Sequence, residues 1–335
     1  MTPSAQAALQ SGWQAWSLPI PLTLLLLAAA VVYLCGWWHL RAGRSAVIPA
    51  WRAGCFGLGL LLIWVALGSP LSVFDEQLLT VHMIQHLLLM TIAPPLILLG
   101  EPLMPLLHGL PRKFVQVFLG PILRWAPLQR VGRFLAHPAV CWIAAAAALV
   151  GWHVPAAFTL GLQSEAWHVV EHSCFLFAGF LFWWPVIQPW PSSARANPMW
   201  SPVAGNASVI EAVVRNSEAG NPVATRLRAE RSPGVSEDLG HRSSGWWLLL
   251  YLFLATIPCD ILSAFLVFSD RLVYPIYVML PRQFAIPALE DQQCAAALMW
   301  TCVTVAYLIP AMILTMQLMG VRHGREERAR LESAK

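Results

Sequence analysis

The chain has 335 residues, of which 58% are hydrophobic and only 11% are charged, and its net charge is +4. Soluble domains carry about 25% charged residues, so this composition excludes an ordinary soluble protein and indicates an integral membrane protein. The positive charge does not indicate a nucleic-acid partner, because the Lys and Arg residues are sorted by loop rather than gathered in a patch.

Seven apolar stretches are each long enough to be a membrane-spanning helix. Roughly 20 apolar residues cross a hydrocarbon core about 30 Å thick, and in lipid only helices and closed barrels satisfy their own backbone. The stretches are too long and too uniformly apolar for barrel strands, so we predict an all-α polytopic bundle of seven transmembrane helices. They cover residues 18–40, 53–73, 78–100, 137–159, 166–189, 245–268 and 293–319.

The distribution of positive residues predicts the orientation of this bundle. Nineteen of the 21 Lys and Arg residues lie in the links after the first, third and fifth helices or after the seventh. Cytoplasmic loops are enriched in Lys and Arg, so we expect an external N-terminus and a cytoplasmic C-terminus.

The seven helices are interrupted by one segment of different composition. Residues 191–244 are rich in Ser, Pro, Asn, Glu and Arg, and such a segment cannot bury a core. We therefore predict one transmembrane domain formed by residues 1–190 and 245–320, a disordered cytoplasmic insertion at 191–244, and a cytoplasmic tail at 321–335.

Two of the predicted helices carry paired histidines. The third helix has His82 and His86, and the fifth has His168 and His172. Residues four apart share one face of a helix, so each pair points in one direction. Glu171 comes three residues after His168, and we expect its carboxylate to orient that imidazole.

The remaining polar residues of this region lie on the other helices. His153 is near the outer end of the fourth helix, Asp260 is within the sixth, and Asp291 is at the start of the seventh, where it could reach the site or cap the helix. Cys259 and Cys294 are near the two aspartates and could be soft metal ligands or a disulfide pair.

All of these residues fall toward the outer end of the bundle, and ionisable groups inside a membrane mark a functional site. We predict a metal site, although a haem held by two histidines and a purely structural polar network are alternatives. A zinc protease is disfavoured, because its motif needs Glu directly after the first His. The expected ligands are His82, His86, His153, His168, His172 and Asp260, and the residues expected to orient them or line the way in are Glu171, Asp291, Met83, Cys259 and Cys294.

Imidazole suits copper, zinc, iron and nickel, and nearby thioether and thiol groups shift the preference toward Cu(I). We therefore expect copper rather than haem. Because a ligand imidazole must be neutral, binding should weaken as pH falls through about 6.5.

Several ordered segments resemble the CtaG family of bacterial cytochrome c oxidase assembly factors, which are seven-helix plasma-membrane proteins. They are HMIQHLLLMTIAPPLILLGEP, GWHVPAAFTLGLQSEAWHVVEHSCFLFAGFLFWWPV and DQQCAAALMW, within a likeness that covers roughly residues 50–320. The resemblance implies a multi-pass inner-membrane protein that helps to produce active haem-copper oxidase, with the five histidines and two aspartates above as the matching residues. The segment 191–244 departs from the family.

The predicted activity follows from the site and the resemblance together. We expect a non-enzymatic factor that passes copper by ligand exchange. Its partners would be cytochrome c oxidase subunits, external (periplasmic) copper carriers and the surrounding lipid bilayer, with no nucleic acid.

Overall fold

The computed structural model describes residues 16–42, 49–187, 236–279 and 286–333, and every regular element in these ranges is helical. The predicted all-α class is therefore confirmed. In chain order the elements are α1 (Ile20–Ala42), α2 (Ala50–Gly68), α3 (Leu71–Phe74), α4 (Leu79–Leu87), the π-helix π1 (Leu88–Ile92), α5 (Ala93–Leu99), α6 (Leu103–Gly109), α7 (Arg112–Phe114), the π-helix π2 (Val115–Leu119), α8 (Gly120–Arg124), α9 (Ala126–Leu135), α10 (Pro138–Trp152), α11 (Pro155–Gln163), α12 (Glu165–Ile187), α13 (Ser236–Val267), α14 (Ile276–Met279) and α15 (Ala288–Ser333).

Six stretches of the described chain are long and apolar enough to cross a membrane, and a bent pair of helices brings the number up to seven. The pair is α9 with α10, which meet at 70°. These lengths support the prediction of a multi-pass membrane protein. The six stretches are Ile20–Arg41, Ala50–Phe74, Leu79–Leu99, Glu165–Ile187, Trp246–Val267 and Ala288–Met319.

The fourth predicted helix is shorter than the sequence suggested. A single helix over 137–159 is wrong, because α10 ends at Trp152 and a separate helix begins at Pro155. Proline cannot donate the backbone hydrogen bond that would continue α10. The 15 residues of α10 rise about 22 Å, which is less than the roughly 30 Å of a hydrocarbon core.

The third predicted helix remains one span despite Pro94 and Pro95. The chain passes from α4 through π1 into α5, and the three elements form the 21-residue stretch Leu79–Leu99. The wider π pattern lies directly before the prolines, where the Ala93 N–H donates to the Leu88 carbonyl. Such π segments are found mostly at functional sites.

The two spans that carry the histidine pairs are also the most buried. Within the apolar window of each stretch, 67% of the Leu79–Leu99 residues and 50% of the Glu165–Ile187 residues are buried, against 33% or less for the other four. The first helix is mostly exposed, with Leu24 and Leu25 open on its surface as expected for contact with lipid. The third and fifth spans therefore form the centre of the bundle.

The chain divides into two compact units, residues 1–189 with 249–335, and residues 190–248. The predicted insertion 191–244 falls in the second unit, and its residues 191–235 lie outside the described ranges. Residues 236–244, predicted to be disordered, belong to the start of α13 instead. The predicted tail is also helical as far as Ser333.

Candidate metal centre

Four imidazoles from α4 and α12 meet in the interior of the first unit. The ring centroids of His82 and His86 are 4.2 Å apart, and those of His168 and His172 are also 4.2 Å apart. Across the two helices, His82 lies 5.6 Å from His168 and His86 lies 5.5 Å from His172. The two His-x-x-x-His pairs therefore face each other, as the shared helix faces predicted.

A buried carboxylate lies between the rings of the first pair. The Glu171 Oε1 atom is 3.5 Å from Nε2 of His82 and 3.5 Å from Nε2 of His86. The sequence predicted that Glu171 would orient His168, but the rotation of α12 turns its carboxylate toward α4. Gly161 on α11 makes room for it, because a Cβ at residue 161 would overlap the Glu171 carboxylate.

A second carboxylate, which the sequence reasoning did not single out, approaches the other pair. The Asp75 Oδ2 atom lies 3.6 Å from His168 Nε2, and the Asp75 side chain is 1% exposed. Asp75 lies in the short turn between α3 and α4, which falls between the second and third predicted helices. The sequence did offer one indication of this carboxylate, because Asp75 comes a few residues before the pair His82 and His86.

Two sets of ligand atoms converge closely enough to hold a metal ion. His82, His86 and Glu171 form one set, and Asp75, His82 and His168 form the other. In each set the ligand atoms lie within 4.8 Å of one another. His82 belongs to both, so the two sets form a single continuous centre, which we call the His/carboxylate centre together with His172.

Eight buried polar atoms of this centre have no hydrogen-bond partner among the described residues. Buried polar groups in proteins are almost always hydrogen-bonded, and leaving them unpaired is costly. A group of unpaired nitrogen and oxygen atoms around one point is the arrangement that a cation would satisfy, so the residues fit a metal ion. The atoms are both ring nitrogens of His82 and His86, Nε2 of His168 and His172, and both carboxylate oxygens of Glu171.

His153 lies beside the centre without joining either set. Its Nδ1 donates to the Leu149 carbonyl at 2.7 Å, since a carbonyl can only accept. The neutral ring therefore has its lone pair on Nε2, which is buried and has no partner in the described chain. The ring centroid is 6.4 Å from that of His86.

Three aromatic side chains cover the centre at the end where Asp75 lies. The Tyr274 hydroxyl donates to the His153 carbonyl at 3.0 Å, and the Tyr277 hydroxyl donates to the Asp75 carbonyl at 3.1 Å. The Phe158 ring lies 4.2 Å from that of Tyr274 and at most 2% of each of the three side chains is exposed. We call Phe158, Tyr274 and Tyr277 the aromatic cover.

Burial changes the acidity of Asp75 and His153, which both lie outside the spans. It raises the pKa of Asp75 from its ordinary value to about 7. It lowers the pKa of His153 to about 4, so this ring stays neutral near neutral pH.

Two predicted acidic residues lie elsewhere. Asp260 is half-buried on α13 and belongs to neither converging set among the described residues. The Asp291 carboxylate accepts hydrogen bonds from the backbone N–H groups of Leu79 and Thr80 at 2.8 and 3.1 Å. It therefore caps the start of α4, the helix that carries His82.

The predicted sulfur residues are also separated. Cys259 is buried, Cys294 is exposed, and both thiols are free, so the two do not form a disulfide. Met83 follows His82 on α4, and its side chain is buried, with 2% exposed.

Comparison with known proteins gives a match over most of the chain. A family model described as cytochrome c oxidase caa3 assembly factor (Caa3_CtaG) matches residues 31–212 and 233–320. An uncharacterized protein of Mycobacterium bovis and one of Mycobacterium tuberculosis are each 27% identical over 180 residues, which is 50% of this chain and 25% of the relative. The chain thus spans about a quarter of the length of these relatives. No solved structure matches.

Proposed function

Since the chain belongs to the Caa3_CtaG family of cytochrome c oxidase caa3 assembly factors, we propose that it assists the oxidase by holding a metal ion, with copper favoured, in the His/carboxylate centre. The observation that carries the proposal is the group of buried, unpaired nitrogen and oxygen atoms around His82, His86, His168 and Glu171. A membrane protein that leaves so many polar atoms unpaired in its interior gains by binding a cation there.

The chemistry of the ligands narrows the choice of metal. Imidazole nitrogen suits copper, zinc, iron and nickel, and affinity for divalent ions of the first transition row peaks at copper. Glu171 and Asp75 add negative charge that offsets the charge of the ion in a medium of low dielectric constant. Copper also agrees with the family's role in producing a haem-copper oxidase, as the resemblance implies.

The packing around the histidines favours an ion over haem. A haem bound by two histidines is a flat macrocycle that must lie between its two ligand rings. Here the rings of His82 and His86 are 4.2 Å apart, and those of Phe158 and Phe175 lie 5.1 Å from His82 and 4.0 Å from His86. This close spacing of side chains supports a small ion rather than a macrocycle between these rings.

Delivery by ligand exchange completes the proposal. With the orientation that the positive loops predict, the centre lies toward the external side of a bacterial plasma membrane. Copper would then arrive from an external carrier and pass to an oxidase subunit that docks on the same side. Ligand exchange makes and breaks only metal–ligand bonds, so this role is not enzymatic.

The test is the metal content of the purified full chain. We expect the wild type, loaded with copper at pH 7.5 under reducing conditions and then dialysed, to retain copper. The variant His82→Gln/His168→Gln removes one ligand from each helix and should retain at most about a tenth as much at the same free copper concentration. His39→Gln changes an exposed histidine of α1 and should behave as the wild type.

Each protein is checked for folding by its thermal unfolding midpoint. A folded wild type that retains no metal would overturn the proposal. Equal retention by the folded double variant would also overturn it, because the centre would then not be the binding site.

A further inference from the structure

A cavity of about 40 Å³ lies beside the His/carboxylate centre. It follows π1 and α12 away from the end that bears Asp75, since its lining runs from Met83 to Thr91 and from Phe175 to Phe182. One water needs about 10–15 Å³ of such space, so the cavity has room for a small ion or a few water molecules.

Four sulfur-bearing side chains line this cavity. Met83 and Met90 come from the third span, Cys259 from α13, and Met299 from α15. All four are buried, with between 2% and 9% of each side chain exposed. Thioether and thiol groups from three different parts of the bundle therefore line one small space. The sequence placed Met83 and Cys259 near the site, whereas Met299 was not expected there.

Two imidazoles complete the wall on the side of the centre. His153 is not part of either converging set, and its lone pair on Nε2 is buried without a partner among the described residues. His86 also lines the cavity, and its Nε2 is 3.5 Å from Glu171 in the centre. His86 is thus common to both places.

From this arrangement we propose that the cavity is a second metal position, selective for Cu(I), that exchanges ions with the His/carboxylate centre through His86. Three of the four sulfur groups are thioethers, which bind the soft ion Cu(I) but are not usual ligands of Zn(II), whereas imidazole with carboxylate accepts divalent ions as well. Most of the remaining wall is apolar, as at Leu87, Ala145 and Phe175, which disfavours a strongly hydrated dication. The exchange step rests on the proposed function; the cuprous selectivity rests on the cavity alone.

The experiment is an anaerobic titration of the purified full chain with Cu(I), in competition with a chelator that becomes coloured when it binds Cu(I). A parallel titration uses Zn(II). We expect the wild type to take up two equivalents of Cu(I), with copper–sulfur scattering in its X-ray absorption spectrum, and one of Zn(II). The variant Met90→Leu/Cys259→Ser/Met299→Leu should lose one equivalent of Cu(I) and the copper–sulfur signal, and keep its Zn(II). Leucine replaces methionine at similar volume, so the core should remain packed.

Matched variants separate the two proposals. Met279→Leu/Met316→Leu changes two exposed methionines, 85% and 67% open, and should retain both equivalents. His82→Gln/His168→Gln should lose Zn(II) and one Cu(I) while keeping the copper–sulfur signal. If that variant binds metal unchanged, the proposed function fails and the cavity site stands.

A different result overturns the cavity site. A folded wild type that takes up a single equivalent of Cu(I) without copper–sulfur scattering would show that the cavity is an apolar void. A folded Met90→Leu/Cys259→Ser/Met299→Leu variant that keeps both equivalents would do the same.

Discussion

Gly161 determines where the Glu171 carboxylate can lie. A Cβ at this position would overlap Glu171 Oε2, so Gly161→Ala should push the carboxylate away from His82 and His86. Changes to groups that support metal ligands typically reduce metal affinity by about 10-fold to 100-fold, and we expect an effect of this size, measured by copper competition with a chelator.

Gly151→Ala provides the comparison, because nothing lies within 4 Å of a Cβ at that exposed position. Its copper affinity should match the wild type. Equal affinities for the two variants would mean that Glu171 does not contribute to binding.

Asp75 should set the pH dependence of metal binding. Burial raises its pKa to about 7, so below that pH the folded protein holds a proton on the carboxyl group that the metal must displace. Copper affinity should therefore rise with pH through about 7 and level off above it, when measured by chelator competition at constant free copper. Asp75→Asn should bind more weakly and lose this rise.

If only the imidazoles took up protons, copper affinity would depend on pH in a different way. Sequence reasoning with free histidine places the loss of binding near pH 6.5. His153, with a pKa of about 4, illustrates how burial keeps a ring neutral well below that pH. A rise near pH 6.5 that persists in Asp75→Asn would assign the proton to another group of the centre.

The site could be predicted from the sequence where it depends on helix periodicity. His82, His86, His168 and His172 were found because four-residue spacing fixes a common face. The partners of Glu171 could not be found in this way, since they depend on the rotation of α12 about its axis. The position of Asp260 could not be predicted for the same reason, because its depth along α13 does not determine which face of the helix it occupies.

The capping of α4 by Asp291 links two helices that are distant in sequence. Removing the carboxylate in Asp291→Ala leaves the N–H groups of Leu79 and Thr80 without this acceptor, and an unsatisfied buried donor costs about 1–3 kcal/mol. We expect a lower thermal midpoint and faster amide hydrogen exchange at residues 79 and 80.

Glu290→Ala is the control, because it removes an exposed acidic residue from the same turn of α15. It should leave both the thermal midpoint and the exchange at the start of α4 unchanged. Wild-type exchange at residues 79 and 80 in Asp291→Ala would contradict the capping role.

The π segment in the third span shows why helix type could not be predicted from the proline pair. Pro94 and Pro95 predict that the backbone hydrogen bonding of the helix is interrupted, but the local structure that results depends on the helix packed beside it. At Gly179, α12 approaches so closely that a Cβ would meet the Met90 carbonyl at 2.6 Å and Pro94 Cγ at 2.8 Å. The close contact with α12 supports π1 where an isolated helix would bend.

Across the bundle, hydrophobicity predicted the spans well and their interruptions poorly. Six of the seven predicted helices correspond to candidate membrane spans in the described chain, because apolar length is a local property. The break at Pro155 and the short turn that carries Asp75 depend on how neighbouring helices end. The external N-terminus and the cytoplasmic C-terminus remain predictions from the positive loops.

The aromatic cover is expected to affect the rate at which a bound ion leaves rather than its affinity. If the centre holds a metal ion as proposed, an ion that leaves past Phe158 must wait until the hydrogen bonds of the Tyr274 and Tyr277 hydroxyls break, and the frequency of that event would then set its residence time. A scavenger in bulk solvent would have to wait for such openings. A recipient that pulls on residues 274–277 would instead trigger release by its own arrival, which ties the moment of unloading to the presence of an acceptor.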